Sequence, residues 1–214
     1  MAEPLLAPIL LAAASIPALV ASDWRGWRPG RYLFKPLSAL AFLWLALTTG
    51  TLETDYGRWL LAGLVASALG DILLMSERRA AFLGGLASFL CGHLLYAVAF
   101  TLVAGNAVFA AASLLPALAL AIWSTRWLRP HLDFDMRMPV QAYILVISGM
   151  LVCAAGTAGD TIAYFVITGA WGFAFSDLAV ARQQFVIQTK ANPLWGTPLY
   201  FGSQMLLAAS PLAL

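Results

Sequence analysis

Charge is scarce in this chain. Only 10% of its 214 residues are Asp, Glu, Lys or Arg, against roughly 25% in a soluble domain, so a sizeable solvent-facing domain is excluded. The twelve Lys and Arg are too few, and too poorly clustered with exposed aromatics, to form a nucleic-acid surface. Histidine and cysteine each occur twice, which argues against a His-based metal site and against a disulfide framework. Cys91 and Cys153 both fall in apolar runs and read as small core residues. No phosphate-binding glycine loop, Ser-His-Asp order or metal-ligand spacing is visible. The first apolar run, LLAPILLAAASIPALVAS, has no Lys or Arg before it, only Glu3. A secretory leader begins with a positive segment, so this run reads as a membrane helix that stays in place.

What is present is apolar. The chain is 62% hydrophobic with a mean hydropathy of +0.84. A spanning helix takes about 20 mostly apolar residues. Eight runs qualify: 4–21, 33–51, 57–75, 81–103, 106–125, 138–156, 160–180 and 193–212. The expectation is an all-α fold, a polytopic bundle of eight transmembrane helices forming a single domain over 1–214. The joints GN at 105–106 and GTAGD at 156–160 are barely polar, but a seven-helix reading would split the basic loops between the two faces. With eight helices, eleven of the twelve Lys and Arg fall on one side, and Arg58 alone lies opposite. Positive residues stay cytoplasmic. Both termini are then expected outside, and the short loops suit a bacterial inner membrane.

The chain reads as two parallel repeats, approximately 1–105 and 106–214. An offset of 106 relates Asp71 to Asp177, Lys35 to Gln141 and Arg31 to Arg137. Repeats of this kind tend to hold a site at their interface. Asp71 in GDILL and Asp177 in SDLAV each interrupt an apolar run about one helical turn, roughly 6 Å, before the inner end. A carboxyl in hydrocarbon is costly and by default functional, although an acid that caps the bundle or pairs with an interfacial Arg is the blander alternative. The Asp71 face continues through Ser67 and Gly63, and the Asp177 face through Phe173 and Gly169. In the fourth run Phe89, His93 and Tyr96 share a helical face. Tyr200 and Gln204 share one in the eighth, Gln141 and Tyr143 lie in the sixth, Lys35 in the second, and Ser176 adjoins Asp177. All could converge on one internal polar cavity.

The motifs FKP, GDILLM, FLGGLASFLCGHLLYA, PVQAY, GAWGFAFSD and YFGSQ, in this order and spacing from about residue 33 to 208, resemble the lysoplasmalogenase family of YhhN-like membrane proteins. The resemblance implies an eight-helix enzyme that hydrolyses the vinyl ether bond of lysoplasmalogens. Its products are a fatty aldehyde and a glycerophospho-base, glycerophosphoethanolamine or glycerophosphocholine. It implies no metal and no organic cofactor. It also implies that Asp71 and Asp177 are catalytic. The partners are then a lysophospholipid, water and membrane lipids.

The chemistry suits these residue types. Protonating the β-carbon of a vinyl ether gives an oxocarbenium ion, which water traps as a hemiacetal that collapses to aldehyde and alcohol. Such a site needs a proton donor and a nearby negative charge. Two carboxyls can divide those roles, as glycosidase carboxylates do around a similar cation. His93, Tyr96, Tyr200 and Gln204 are candidates to orient water or the ether oxygen, and Gln141, Tyr143 and Ser176 to line the pocket. Lys35, with nearby arginines, is expected to hold the phosphate at the inner leaflet, the alternative being an orientation signal or an ion pair with Asp71. Paired intramembrane acids also suit a proton-coupled carrier, and a lipid-binding scaffold is a third reading that leaves the acids without a role.

Overall fold

The computed structural model describes residues 3–103 and 105–214, which contain eight long helices and no strand. These are α1 (Glu3–Arg25), α2 (Arg28–Thr48), α3 (Asp55–Leu73), α4 (Arg79–Thr101), α5 (Ala107–Leu128), α6 (Phe134–Gly156), α7 (Ala163–Ala181) and α8 (Ala191–Ala209). Short 3₁₀ turns follow α5 and α8, and a π-turn, Arg182–Val186, follows α7. Both barely polar joints are real breaks. The Asn106 side chain caps α5 by accepting from the backbone N–H groups of Val108 and Phe109, which satisfies two donors that the helix itself leaves unpaired.

Five helices, α1, α4, α5, α6 and α7, are long and apolar enough to cross a membrane, and the chain is an integral membrane protein. The expectation of eight such helices is met in number of helices but not in composition. Helices α2, α3 and α8 carry polar residues such as Lys35, Asp71 and Asn192 that lower their hydropathy. Helices α2 and α6 also begin several residues before the apolar runs that announce them, at Arg28 and Phe134. Hydropathy marks where a chain is apolar, whereas a helix continues as long as its backbone needs internal hydrogen bonds, and long basic side chains at its ends reach back to water.

The packing is by hairpins. Helix α1 lies against α2, α3 against α4, α5 against α6 and α7 against α8, while α4 crosses to α6 and α8 to α2. One core runs through the bundle and includes Phe42, Leu60, Leu64, Tyr96, Phe100, Met150, Phe173 and Phe201. The outward faces are apolar too: Val108 and Leu115 are each 76% exposed, as lipid-facing side chains are in a membrane bundle. Cys91 corrects one expectation. It faces outward and is exposed, and Cys153 is half-buried, because the core side of α4 at this level is taken by Phe89, Gly92 and His93.

Small residues let the hairpins close. A Cβ on Gly63 of α3 would fall 2.5 Å from the Tyr96 ring of α4, and one on Gly169 of α7 would fall 2.8 Å from Leu207 of α8. Apolar side chains gain little by leaving lipid for protein, so membrane helices rely on such close backbone approach. Gly63→Ala should therefore destabilise the protein by about 1–3 kcal/mol, because Tyr96 is fully buried and has no room to yield. Gly149→Ala is the control. Nothing lies within 4 Å of a Cβ there, so the better helix propensity of alanine should leave stability unchanged or raise it by up to about 1 kcal/mol. Thermal melting in detergent compares the two.

Candidate active site

The helical periodicity of α3 and α7 carries an aspartate to the C-terminal end of each. Asp71 sits in the last turn of α3 and Asp177 one turn before the end of α7. Both line a single cavity of about 580 Å³. Its walls are largely apolar, with Phe82, Phe89, Leu128 and Ile147 among them, and it extends toward the basic loops, where Arg31 and Arg79 join the lining.

Asp71 is held by charge. Lys35 Nζ on α2 lies 3.2 Å from its Oδ1, and the Tyr200 hydroxyl on α8 donates to its Oδ2 at 2.7 Å. The carboxylate is only 3% exposed and the lysine side chain 14%. A charge this enclosed persists only when paired and hydrogen-bonded, and both conditions are met.

Asp177 is held by a hydroxyl and an imidazole. The Tyr143 hydroxyl on α6 donates to its Oδ2 at 2.8 Å. His93 Nε2 on α4 lies 3.2 Å from the same oxygen and 3.0 Å from the Tyr143 hydroxyl. Among the described residues, Asp177 Oδ1 has no hydrogen-bond partner, and the side chain is 18% exposed. It is therefore the carboxyl better placed to meet a molecule in the cavity. Phe173 separates the two clusters, its ring 4.4 Å from the His93 ring and 5.3 Å from that of Tyr200, centre to centre.

Of the residues singled out in the sequence, Lys35, Asp71, Tyr143, Ser176, Asp177 and Tyr200 line the cavity. Ser176 does so with its hydroxyl already donating to the Phe173 carbonyl at 2.7 Å. His93, Tyr96 and Gln204 stand behind the lining. His93 supports Asp177, while the Tyr96 hydroxyl donates to Gln204 Oε1 at 2.7 Å in a fully buried pair. Gln141 is not part of the site. It is exposed on the outer face of α6, because Tyr143, two positions on, takes the inward direction and a helix cannot turn both inward. The offset that pairs Gln141 with Lys35 thus relates positions rather than roles. Lys35 lines the cavity with its ammonium paired to Asp71, the ion pair that is the alternative to a phosphate contact.

Several lining residues were missed in the sequence. Asp23 sits near the end of α1, Gln183 and Gln184 lie in the π-turn and Asn192 starts α8, while Arg31, one of the arginines near Lys35 in the sequence, also joins the lining. Asn192, almost fully buried, donates to Gln183 Oε1 and to the Ile187 carbonyl and accepts from Arg182, which pins that turn to the start of α8. A buried asparagine at a helix start has no periodicity to reveal it.

The Lys35–Asp71 pair makes a measurable forecast. Lys35→Gln strands a buried carboxylate and Asp71→Asn strands a buried ammonium, so each should cost about 3 kcal/mol. The double variant leaves two neutral groups and should melt well above either single variant. Melting temperatures that fell additively would show that the two groups do not interact.

The comparisons with known proteins follow this geometry. The YhhN family model matches residues 30–211. The chain is 31% identical to a mouse (Mus musculus) protein named lysoplasmalogenase TMEM86B over 213 residues, covering 97% of this chain and 86% of that one. The human (Homo sapiens) protein of the same name is equally similar, over 215 residues with the same coverage. A Mycobacterium tuberculosis protein named lysoplasmalogenase is 31% identical over 159 residues, 71% of this chain and 59% of that one. No solved structure matches. The family match spans α2 to α8 and includes every residue that holds either aspartate, and the chain belongs to the YhhN family.

Proposed function

We propose that this protein is a membrane-embedded lysoplasmalogenase that hydrolyses the vinyl ether bond of a lysoplasmalogen to a fatty aldehyde and a glycerophospho-base. The observation that carries the reading is the pair of aspartates lining one largely apolar cavity, one carboxyl ion-paired with Lys35 and the other held by Tyr143 and His93. The names of the relatives favour a hydrolase over the carrier that the same acids would suit.

In the proposed mechanism Asp177, in its acid form, gives its proton to the β-carbon of the vinyl ether. The double bond becomes an oxocarbenium ion, and the new carboxylate lies beside the cation it has created. Charge stabilisation of this kind is effective where water is excluded. A water molecule then attacks the cationic carbon and passes a proton to Asp177, which restores the acid. The hemiacetal moves its hydroxyl proton to the glycerol oxygen and splits into aldehyde and alcohol. Tyr143 and His93 keep the Asp177 carboxyl in position. Asp71 supplies a fixed charge whose own counter-ion, Lys35, is already present, and it holds Tyr200 at the cavity wall. The alkenyl chain lies along Phe82, Leu128 and Ile147.

The reading extends to topology. All eight helices cross the membrane, both termini lie outside, and the loops carrying Arg28, Arg78, Arg129 and Lys190 face the cytoplasm, by the bias of basic residues. The short loops fit a bacterial inner membrane. Residues 1–214 form one domain of two parallel halves. Three features support the duplication: α4 meets α6 as α8 meets α2, Gly63 and Gly169 keep the same offset as the aspartates, and each aspartate is held from equivalent helices. Asp71 is held from α2 and α8, and Asp177 from α6 and α4.

Purified protein in detergent should release aldehyde from a lysoplasmalogen, whereas a carrier would show only vesicle-dependent flux. In D₂O the aldehyde, trapped by immediate reduction, should carry one deuterium on the carbon next to the carbonyl. Absence of that label would exclude protonation at carbon. Asp71→Asn and Asp177→Asn should each slow turnover by at least ~10²-fold, and near-normal turnover in either would make that residue structural. A C-terminal reporter that fluoresced from the cytoplasm would overturn the topology.

A further inference from the structure

The cavity does not end at the aspartates. It continues to the inner ends of α1 and α2, where Asp23 and Arg31 join its lining. We propose that these two residues form a binding site for a zwitterionic head group, with Arg31 taking a phosphate and Asp23 the ammonium attached to it. The inference rests on the reading that the occupant is a lysophospholipid with its vinyl ether at Asp177.

The pair is built loosely for a structural ion pair. Arg31 Nε lies 3.7 Å from Asp23 Oδ1, beyond hydrogen-bond length, and among the described residues neither side chain makes a hydrogen bond. Yet the Asp23 side chain is only 14% exposed, and polar groups this enclosed are ordinarily satisfied. Neighbouring carboxylates are different. Glu77 accepts from Arg28 at 2.6 Å, and Asp135 is bonded by Arg79. Asp133 also lines the cavity but is exposed in the loop before α6. Asp23 and Arg31 thus keep free acceptors and donors pointing into a space that an amphiphile would fill.

Spacing supports the assignment. Arg31 precedes Lys35 by one helical turn on the same face of α2, so it lies about 6 Å nearer the mouth than the Lys35–Asp71 pair. A phosphate at Arg31 would therefore sit beyond the Lys35–Asp71 pair, on the part of the cavity lined by Asp23. The guanidinium presents forked donors suited to phosphate oxygens, and an ammonium one short linker further would meet the Asp23 carboxylate. The same carboxylate would repel a bare phosphomonoester, whose extra negative charge has no ammonium beside it. Selectivity would then come from a repulsive element as well as an attractive one.

The test uses lipids that the proposed reaction cannot consume. Binding of 1-alkyl-lysophosphatidylethanolamine and of 1-alkyl-glycerol 3-phosphate, both saturated ethers, is measured by titration calorimetry on the purified full chain in detergent. Wild type should bind the ethanolamine lipid roughly tenfold more tightly, the size of one charge-assisted hydrogen bond partly screened by solvent. Asp23→Asn should remove that preference and Asp23→Glu should keep it, whereas Arg31→Gln should weaken both lipids. If Asp23→Asn does not fold, the exchange of Asp23→Arg with Arg31→Asp retains an ion pair and must likewise abolish the preference. An unchanged ratio in either variant, or no discrimination by wild type, overturns the site. Discrimination without any vinyl ether hydrolysis would leave the head-group site standing and remove the catalytic reading. Hydrolysis without discrimination would do the reverse.

Discussion

Hydrocarbon offers no solvent to an ionised group, so each charge placed inside this bundle must find its partner within the protein. The rest of the structure is organised around that requirement. Asp71 meets a cation from α2 and a hydroxyl from α8, and Asp177 meets a hydroxyl from α6 and an imidazole from α4. Each aspartate therefore ties together three helices. Were the helices to separate, unpaired charges and dipoles would face lipid, which links integrity of the fold to integrity of the site.

That linkage depends on close approach. Helices α3 and α4 meet at Gly63 and Gly92, and α7 and α8 meet at Gly169 and Gly172, where a methyl group would press on Tyr96, Ser67, Leu207 or Ser203. Hydrogen bonds near 2.7–3.2 Å tolerate little displacement. Small residues set the separation within each hairpin, α3 with α4 and α7 with α8. Phe173, fully buried between the two clusters, keeps them apart so that each retains its own partners.

The two acids are alike in sequence setting and different in surroundings. Asp71 lies buried beside an ammonium, whereas Asp177 is held on one oxygen by Tyr143 and His93 and has no hydrogen-bond partner on the other among the described residues. This asymmetry gives the two groups different surroundings within one cavity.

The sequence by itself determined the class of fold, an all-α membrane bundle of eight helices, because hydropathy and helical period are local properties that a single pass along the chain reads directly. It also singled out Asp71 and Asp177, since an acid in an apolar run is conspicuous wherever it ends up, and it identified Tyr143, Tyr200 and His93 as residues able to reach them. Tertiary structure alone decided which partner went to which acid. Lys35 turned to Asp71 instead of standing free, Gln141 turned outward while Tyr143 turned in, and Cys91 faced away from the core. Only the fold brought Asp23 and Arg31 together at the mouth of the cavity. The reason is physical: the direction of a side chain follows from the rotation of its helix about its own axis, and that rotation is set by the neighbours it packs against, which lie up to 159 positions away in the chain.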